Sequence, residues 1–281
     1  MKVLLTNDDG IEAAGLWSMR RELCALGMDV VVVAPDSNRS GAARRCTPRR
    51  PVRFTARHQS DGPVYACDGS PVDCVRGALL TDRAADVDAV VAGVNHGLNV
   101  GDDALYSGTV GAAVEAALLS RPGLAFSQQP DTGDFRFRDR GPHTFEPGTH
   151  VAARLVAAVA EDPPPGRFAL TVNLPAGVEM DSGLDVTRLS RRTHGVGRVV
   201  AEPDDADLLH LYGLPEDPEP ALEFAPGTDA AALRAGRVSL TPLSLDWHDP
   251  ARTADLDTWA RRLVAGGLPA TLRSDDASAR R

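Results

Sequence analysis

Two adjacent carboxylates, Asp8 and Asp9, follow the first apolar segment of the chain and are its first residues that could do chemistry. At the end of a strand, two such groups repel each other unless a cation lies between or beside them. The alternative is that one of them caps the following helix while the other points into water. The pair by itself leaves both interpretations open.

Neutral oxygen groups after two further apolar segments favour the cation. Ser40 lies in the loop after the second segment, and Asn95 directly follows a later one. Two carboxylates, a hydroxyl and an amide oxygen, without His or Cys, suit hard cations such as Mg²⁺ or Mn²⁺ rather than zinc. We therefore predict one divalent metal ion per subunit, bound by Asp8, Asp9, Ser40 and Asn95.

The segment Ser107-Gly108-Thr109 stands at the start of a predicted helix. The free backbone N–H groups and the dipole of a helix make its N-terminus an anion site, although ordinary capping by Ser or Thr is the alternative. Gly97 and Gly101 would let the preceding loop approach a ligand closely. The sequence contains neither GxGxxG nor GxxxxGK[ST], so dinucleotide-binding and P-loop sites lack their signatures. We predict that Ser107, Gly108 and Thr109 bind phosphate.

These loops need strands and helices that bring them together. Predicted strands are Val3–Thr6, Val30–Ala34, Val87–Val94, Leu124–Ser127 and Phe168–Asn173, and predicted helices are Ala13–Leu26, Pro71–Leu80, Val110–Leu119 and Val151–Ala160. Strands that are apolar throughout and alternate with helices indicate an α/β fold, a mostly parallel sheet with helices on both faces. Ligands of such sheets bind beyond the carboxyl ends of the strands, where the polar loops lie.

Outside this alternation the pattern is less regular. Val52–Cys67 predicts a hairpin, and the polar stretch Gln128–Thr149 predicts an exposed, irregular excursion. We predict a catalytic core over 1–175 and a β-rich extension with a C-terminal arm over 176–281, partly returning to the core. Later predicted elements are the strands Leu184–Leu189, Leu208–Tyr212 and Val238–Leu240, a helix at Leu256–Val264 and a disordered tail after Ser274.

Composition excludes several classes of protein. The formal net charge of −9 argues against a protein that binds nucleic-acid duplexes, which would carry a basic face. No apolar stretch approaches the length that spans a bilayer, and the first apolar run is too short for a signal peptide, so we expect a cytoplasmic protein. None of the four cysteines forms a CxxC pair, which predicts buried free thiols; they are Cys24, Cys46, Cys67 and Cys74.

Taken together, the motifs resemble the SurE family of 5′/3′-nucleotidases, also called survival proteins. The matching segments, in order, are LLTNDDGI from Leu4, VAPD from Val33, NRSGA from Asn38, GSPVDCV from Gly69, GVNHGLNVG from Gly93, YSGTVGAA from Tyr106, VNLP from Val172, GTD from Gly227 and VSLTPL from Val238. Each piece is weak alone, but the ordered set is specific and extends from Met1 to about Asp246. Departures from the family pattern at Ser70, at Arg44-Arg45-Cys46 and over 191–223 bear on substrate preference.

The resemblance implies a Rossmann-like core and a β-rich extension that builds homodimers or homotetramers. It also implies hydrolysis of nucleoside 5′- and 3′-monophosphates. The family's metal ligands fall on Asp8, Asp9, Ser40 and Asn95. Its phosphate-holding positions fall on Ser107, Gly108 and Thr109, with Asn99 nearby.

We expect metal-assisted hydrolysis in which Asp8, Asp9 and Asn95 are catalytic and Asp9 is the base that activates water. A phospho-aspartate route ranks lower because the two aspartates are adjacent rather than in a DxD pattern. Two alternatives remain at this point. One is a non-catalytic nucleotide or phosphate sensor on the same fold, and the other is a glycosyltransferase-like enzyme that uses a carboxylate-bound metal.

Overall fold

The structure is a computed structural model that describes residues 1–58, 62–135, 141–192, 199–202, 204–211 and 221–265. Its strands are β1 (Lys2–Thr6), β2 (Asp29–Pro35), β3 (Phe54–Arg57), β4 (Val64–Cys67), β5 (Ala89–His96), β6 (Gly123–Gln128), β7 (Ala169–Leu174), β8 (Leu184–Val186), β9 (Val200–Glu202), β10 (Asp205–His210) and β11 (Val238–Leu243). Its α-helices are α1 (Ala14–Ala25), α2 (Pro71–Leu79), α3 (Gly108–Leu118), α4 (Phe145–Glu161), α5 (Asp229–Arg234) and α6 (Pro250–Ala265). A 3₁₀ turn, Gly101–Leu105, precedes α3.

Within these residues, nine strands form one sheet in the order β3-β4-β2-β1-β5-β6-β7-β11-β8, while β9 and β10 pair separately. The pairs β3–β4 and β7–β11 are antiparallel, and the other neighbours are parallel. This confirms the predicted α/β class with a mostly parallel sheet. Strand β11, late in the chain, pairs antiparallel with β7 in this sheet.

The central strands are buried on both faces, which explains why they are apolar throughout. Along β1, Val3 and Leu5 belong to one hydrophobic cluster and Leu4, between them, belongs to another. Helices α1 and α4 pack over the first cluster, and α2 and α3 pack over the second. The sheet is therefore a central layer, covered on both faces, whose loops project at its carboxyl edge.

Helix α4 corrects the prediction for Gln128–Thr149. Gln128 is buried at the end of β6, and α4 begins at Phe145, six residues before the predicted start. The first turn of α4 buries Phe145 and Thr149, and the Thr149 hydroxyl lies 2.9 Å from the Ser18 hydroxyl on α1. Packing against α1 thus extends the helix through the sequence Glu-Pro-Gly, which has weak helical propensity. Residues 136–140 of this stretch lie outside the described residues.

Other predictions meet mixed outcomes. The hairpin over Val52–Cys67 is confirmed as β3 and β4, the predicted strand at Leu208 begins earlier as β10, and the last helix is longer than predicted.

The expectation of buried thiols is right for Cys67 and Cys74 but wrong for Cys24 and Cys46. These two are exposed because Cys24 lies on the solvent side of α1 and Cys46 lies in a surface loop. The predicted disordered tail and Tyr212 lie outside the described residues.

By contacts between residues, the chain divides into two compact units, Met1–Leu245 and Asp246–Arg281. The main sheet and the loops at its carboxyl edge belong to the first unit, and α6 belongs to the second. No helix in the described ranges combines the length and the apolar character needed to cross a bilayer. The domain boundary at 175, the oligomerisation role of the extension and the cytoplasmic location stay predictions.

Candidate active site

The polar loops singled out in the sequence converge at one crevice. Strands β2, β1 and β5 are parallel neighbours, so their carboxyl ends lie side by side. The chain runs from β1 outward to β2 and β4, and then crosses back to place β5 on the other side of β1. The gap between β1 and β5 is therefore the switch point of the sheet, where α/β proteins bind their ligands.

Asp8 is buried in this gap, with only 3% of its surface exposed. Its carboxylate accepts hydrogen bonds from the Gly108 N–H at 3.0 Å and from the Thr109 hydroxyl at 2.5 Å. Burial raises the pKa of Asp8, and the hydrogen bonds from Thr109 and Gly108 oppose this shift. The N-terminus of α3, with its positive end of the helix dipole, is thus directed at the Asp8 carboxylate.

Gly108 permits this close approach because it has no side chain. A Cβ atom at position 108 would lie 2.8 Å from the Asp8 Cβ atom, 2.9 Å from Asp8 Oδ2 and 3.1 Å from Pro71 Cγ. Gly108 is buried and adopts an ordinary helical conformation, so the constraint is space rather than backbone strain. A glycine at this position is needed for the contact between α3 and β1.

We expect Gly108→Ala to displace the Asp8 carboxylate and to lower phosphate-ester hydrolysis by roughly 100-fold, since shifts of about 1 Å at an active site cost that much. The measurement is kcat/KM for a nucleoside monophosphate. Gly133→Ala is the control for glycine replacement, because nothing lies within 4 Å of a Cβ there, although its φ of +76° adds local strain. Wild-type kcat/KM in Gly108→Ala would contradict the proposed tight packing.

Asp9 lies beside Asp8 and is only partly buried. Its Oδ2 atom accepts a hydrogen bond from the His96 backbone N–H at 3.1 Å, which connects the end of β1 to the end of β5. Burial and then the negative charge of Asp8 raise the pKa of Asp9 to about 7, while the His96 N–H opposes the rise. The pKa values of both neighbouring carboxyls are therefore raised, with burial as the largest cause at each.

Asn95 presents its amide oxygen to the same gap. Its Nδ2 group donates to the Gly97 carbonyl at 2.9 Å, and this bond fixes the orientation of the amide. Asn95 Oδ1 consequently faces Thr109 Oγ1 at 3.5 Å, and Thr109 in turn donates to Asp8. The structure therefore brings together Asp8, Asp9 and Asn95, three of the four predicted metal ligands.

The backbone of the loop that carries Ser40 contacts the end of β1, but the Ser40 side chain does not contact the other predicted ligands. The Arg39 N–H donates to the Asp8 carbonyl at 2.6 Å, so the loop that carries Ser40 is attached to the end of β1. Ser40 itself is exposed, and its N–H donates to Asn38 Oδ1 at 2.8 Å. Among the described residues, the Ser40 hydroxyl makes no hydrogen bond to Asp8, Asp9 or Asn95, so its role as a ligand stays a prediction.

The predicted phosphate-binding groups are partly engaged with the protein. Ser107 caps α3 by accepting a hydrogen bond from the Val110 N–H at 3.1 Å, and the Gly108 N–H and the Thr109 hydroxyl contact Asp8. Capping, one of the two interpretations of this segment, is therefore present at Ser107. The capped end of α3 also lies in the crevice, where the other interpretation, anion binding, would require it. Binding of phosphate by Ser107, Gly108 and Thr109 stays a prediction.

Asn99 belongs to a neighbouring buried network. Its Nδ2 group donates to Ser127 Oγ at 2.8 Å, and its backbone N–H donates to Asn173 Oδ1 at 2.9 Å. The Asn173 Nδ2 group returns a hydrogen bond to the Asn99 carbonyl at 3.1 Å. Asn99 therefore ties the loop after β5 to the ends of β6 and β7, and its phosphate contact stays a prediction.

Sequence reasoning missed the residues that hold the loop before α3. The Arg192 guanidinium is buried against the Asp103 carboxylate, with Nε to Oδ2 at 2.8 Å and a terminal nitrogen to Oδ2 at 2.7 Å. Asp229 is fully buried and accepts hydrogen bonds from the N–H groups of Gly101 at 2.7 Å and Ser190 at 2.8 Å. These contacts join residues about 40, 90 and 130 positions apart, so no local spacing could reveal them.

The donor set fits a hard cation. The described part of the chain holds no cluster of three or more His, Cys, Asp or Glu side chains suited to a metal. A cation at Asp8 and Asp9 would therefore complete its ligands with neutral oxygens, such as the Asn95 amide, and with water. Mg²⁺ and Mn²⁺ accept such a set, and Mg²⁺ typically keeps several water ligands.

Fold and site together define a Rossmann-like α/β protein with a carboxylate pair at the switch point of its sheet. The family profile described as "Survival protein SurE" matches residues 3–195, and the chain belongs to this family. It is 42% identical over 262 residues to "5'-nucleotidase SurE" of Rubrobacter xylanophilus, covering 92% of this chain and 97% of the relative. It is 37% identical over 263 residues to the protein of the same name from Aeromonas hydrophila, covering 92% and 98%.

A solved structure supports the same assignment. The crystal structure of the SurE protein from Aquifex aeolicus matches with a TM-score of 0.74 and 30% sequence identity. The match covers 92% of this chain and all of that chain. The similarity therefore extends beyond the crevice into the residues after 195, which the family profile does not reach.

Proposed function

We propose that the protein is a metal-dependent 5′-nucleotidase, which hydrolyses nucleoside 5′-monophosphates to nucleoside and phosphate and also accepts 3′-monophosphates. The observation that carries the proposal is the buried Asp8 carboxylate, which lies at the switch point beside Asp9 and beneath the N-terminus of α3. Two relatives that match nearly the whole chain are named 5′-nucleotidases, which supports the proposal.

The residues of the crevice have separate roles in the proposed reaction. Asp8, Asp9 and Asn95, with Ser40 at the rim, would hold one Mg²⁺ or Mn²⁺ ion. When bound, that ion would supply positive charge next to the oxygens of the transferring phosphoryl group. Thr109 and Gly108 fix the Asp8 carboxylate by two hydrogen bonds, so its position is set before substrate binds.

Asp9 is the proposed base. It is partly exposed at the crevice, and among the described residues its carboxylate accepts one hydrogen bond, from the His96 N–H to Oδ2, which leaves Oδ1 to accept a proton. Water attacks phosphorus in line, the bond from phosphorus to the nucleoside oxygen breaks, and the water proton passes to Asp9. The departing nucleoside oxygen takes a proton from solvent and Asp9 returns its proton to solvent, which gives nucleoside and inorganic phosphate and restores the base.

A phosphate-release screen tests this proposal. The full-length protein is incubated with nucleoside 5′- and 3′-monophosphates and with short polyphosphate, in Mg²⁺, in Mn²⁺ and in excess EDTA. We expect release from the 5′-monophosphates with a divalent ion and loss of release in EDTA, restored by adding excess Mn²⁺. Binding of nucleotide without phosphate release would instead indicate a sensor, and full activity in EDTA would exclude the metal-dependent mechanism.

A further inference from the structure

A run of positive charge follows β2 and has no role in the chemistry proposed above. Seven arginines and no acidic residue lie between Asp36 and Asp61, in a chain whose formal net charge is −9. The rest of the chain is therefore strongly acidic and repels an anionic substrate. The carboxylates of Asp8 and Asp9 add to this repulsion before a cation binds. The basic run is the part of the chain that can oppose it.

The beginning of the basic run is attached to the crevice at two points. The Arg39 N–H donates to the Asp8 carbonyl at 2.6 Å, and the Ala43 N–H donates to the Tyr106 carbonyl at 3.0 Å, just before α3. Gly111 lets the loop lie directly on α3, because a Cβ atom there would be 2.5 Å from the Ala43 carbonyl oxygen. The loop therefore passes from the end of β1 to the first turns of α3.

The next residues of the loop are held at the N-terminus of α2. The Ser70 hydroxyl donates to the Arg45 carbonyl, and Thr47 donates to the Asp73 carboxylate through its N–H at 2.9 Å and its hydroxyl at 2.6 Å. This end of α2 lies next to the start of α3. A Cβ atom on Gly108 would be 3.1 Å from the Cγ atom of the proline that begins α2. The backbone of Arg45 is therefore fixed close to the N-terminus of α3.

Two arginines bring exposed positive charge to this edge of the sheet. Arg45 and Arg49 are exposed, and in the described part of the chain neither forms an ion pair. Arg50, next to Arg49, pairs at 3.1 Å with Asp68, which directly follows β4, so this segment also lies at the carboxyl ends of the parallel strands. Because β4 is two strands away from β1, Arg49 is farther from the crevice than Arg45.

We propose that Arg45 and Arg49 attract the anionic phosphate group of the substrate to the crevice, with the larger contribution from Arg45. This inference rests on the proposed function and assigns the residues that let an acidic protein capture an anionic ester. Charge of one sign along a cleft raises the association rate of an oppositely charged ligand by about 10- to 1,000-fold. The interaction is with the charge of the substrate and not with the reacting atoms, so it acts on KM and leaves kcat unchanged.

The test uses Arg45→Gln, Arg49→Gln and the double Gln variant of the full-length protein, with the double Lys variant to restore the charge. Arg57→Gln is the matched control, because it removes the same charge at an exposed position. Arg57 pairs with Val64 at the start of β4, and thus lies at the opposite end of the sheet. The first readout is kcat and KM for AMP at low and high salt. The second is the dissociation constant of inorganic phosphate in Mg²⁺, measured by isothermal titration calorimetry, which needs no hydrolysis.

At an ionic strength of about 0.01 M, where the Debye length is about 30 Å, charge acts over the whole crevice. There we expect the double Gln variant to raise KM for AMP and to weaken phosphate binding by about ten-fold, with kcat within about two-fold of the wild type. Arg45→Gln should account for most of this change. At about 1 M the Debye length is about 3 Å, so the difference should disappear. The double Lys variant and Arg57→Gln should resemble the wild type at both salt concentrations.

Three results would overturn the proposal. They are an unchanged KM in the double Gln variant, a loss that high salt does not remove, and an equal loss in Arg57→Gln, which would indicate net charge alone. If AMP is not hydrolysed, the proposed function fails, while the phosphate titration still decides whether Arg45 and Arg49 attract the anion. Equal phosphate binding by the wild type and the double Gln variant, or none by either, would then decide against them.

Discussion

Asp8→Asn is expected to lose about 100-fold or more of the phosphate-releasing activity and to keep the fold. Asparagine keeps one acceptor oxygen for the Gly108 N–H. Its NH₂ group then takes the position of the other carboxylate oxygen, where the Thr109 hydroxyl can accept instead of donating, so the local packing survives. It removes the charge that would attract the cation, and losses of 10- to 100-fold already follow when residues behind a metal ligand are changed. The measurement is kcat/KM for a nucleoside monophosphate at saturating Mn²⁺.

The stability of the same variant should move in the opposite direction. Burial raises the pKa of Asp8, so ionised Asp8 destabilises the metal-free fold, and the neutral amide removes that cost. We expect the Tm of metal-free Asp8→Asn to equal or exceed the wild-type value. Asp86→Asn is the matched control, because Asp86 pairs with Lys2 at the opposite end of β1 and is exposed. Near wild-type activity in Asp8→Asn would remove this residue from the mechanism.

Arg192→Met is expected to lower the free energy of unfolding by about 3–5 kcal/mol, the usual cost of leaving one partner of a buried ion pair alone. The Arg192 and Asp103 side chains are 3% and 1% exposed, so water cannot replace the lost partner. The measurement is urea denaturation at a fixed protein concentration. The double variant Arg192→Met with Asp103→Leu should regain much of the loss, because an apolar pair can replace a buried ion pair.

The control for this prediction is Arg237→Met. Arg237 pairs with Asp185 with comparable geometry, at 2.7 Å, but both side chains are about 40% exposed. Exposed pairs contribute little, so we expect little change in stability. An equal loss in Arg192→Met and Arg237→Met would show that burial of the Arg192 pair is not what stabilises the loop before α3.

The sequence predicted the sheet and the convergence of its loops because both follow from local patterns. Four-residue apolar runs such as Val30–Val33 identify parallel strands, and the adjacency of strand ends then follows from the fold class. For this reason Asp8, Asp9 and Asn95 are found together. The start of α4 was misplaced because the packing of Phe145 and Thr149 against α1, a tertiary effect, overrides weak local propensity.

The parts that could not be predicted depend on contacts distant in sequence. His143 and His96 meet only because the segment after β6 folds back over the end of β5. The same holds for Asp229 and Gly101, whose pairing fixes the 3₁₀ turn before α3. A lone histidine or aspartate in a polar stretch carries no signal of such a contact, because its spacing to the site is arbitrary.

We propose that a divalent cation at Asp8 and Asp9 is required for phosphoester hydrolysis. The most direct measurement is the rate of phosphate release from AMP by metal-stripped wild-type protein as Mn²⁺ is added back, alongside Asp8→Asn. We expect a negligible rate without metal, a saturable rise with Mn²⁺ in the wild type, and almost no rise in Asp8→Asn. A rate that is independent of Mn²⁺, or an equal rise in both proteins, would contradict it.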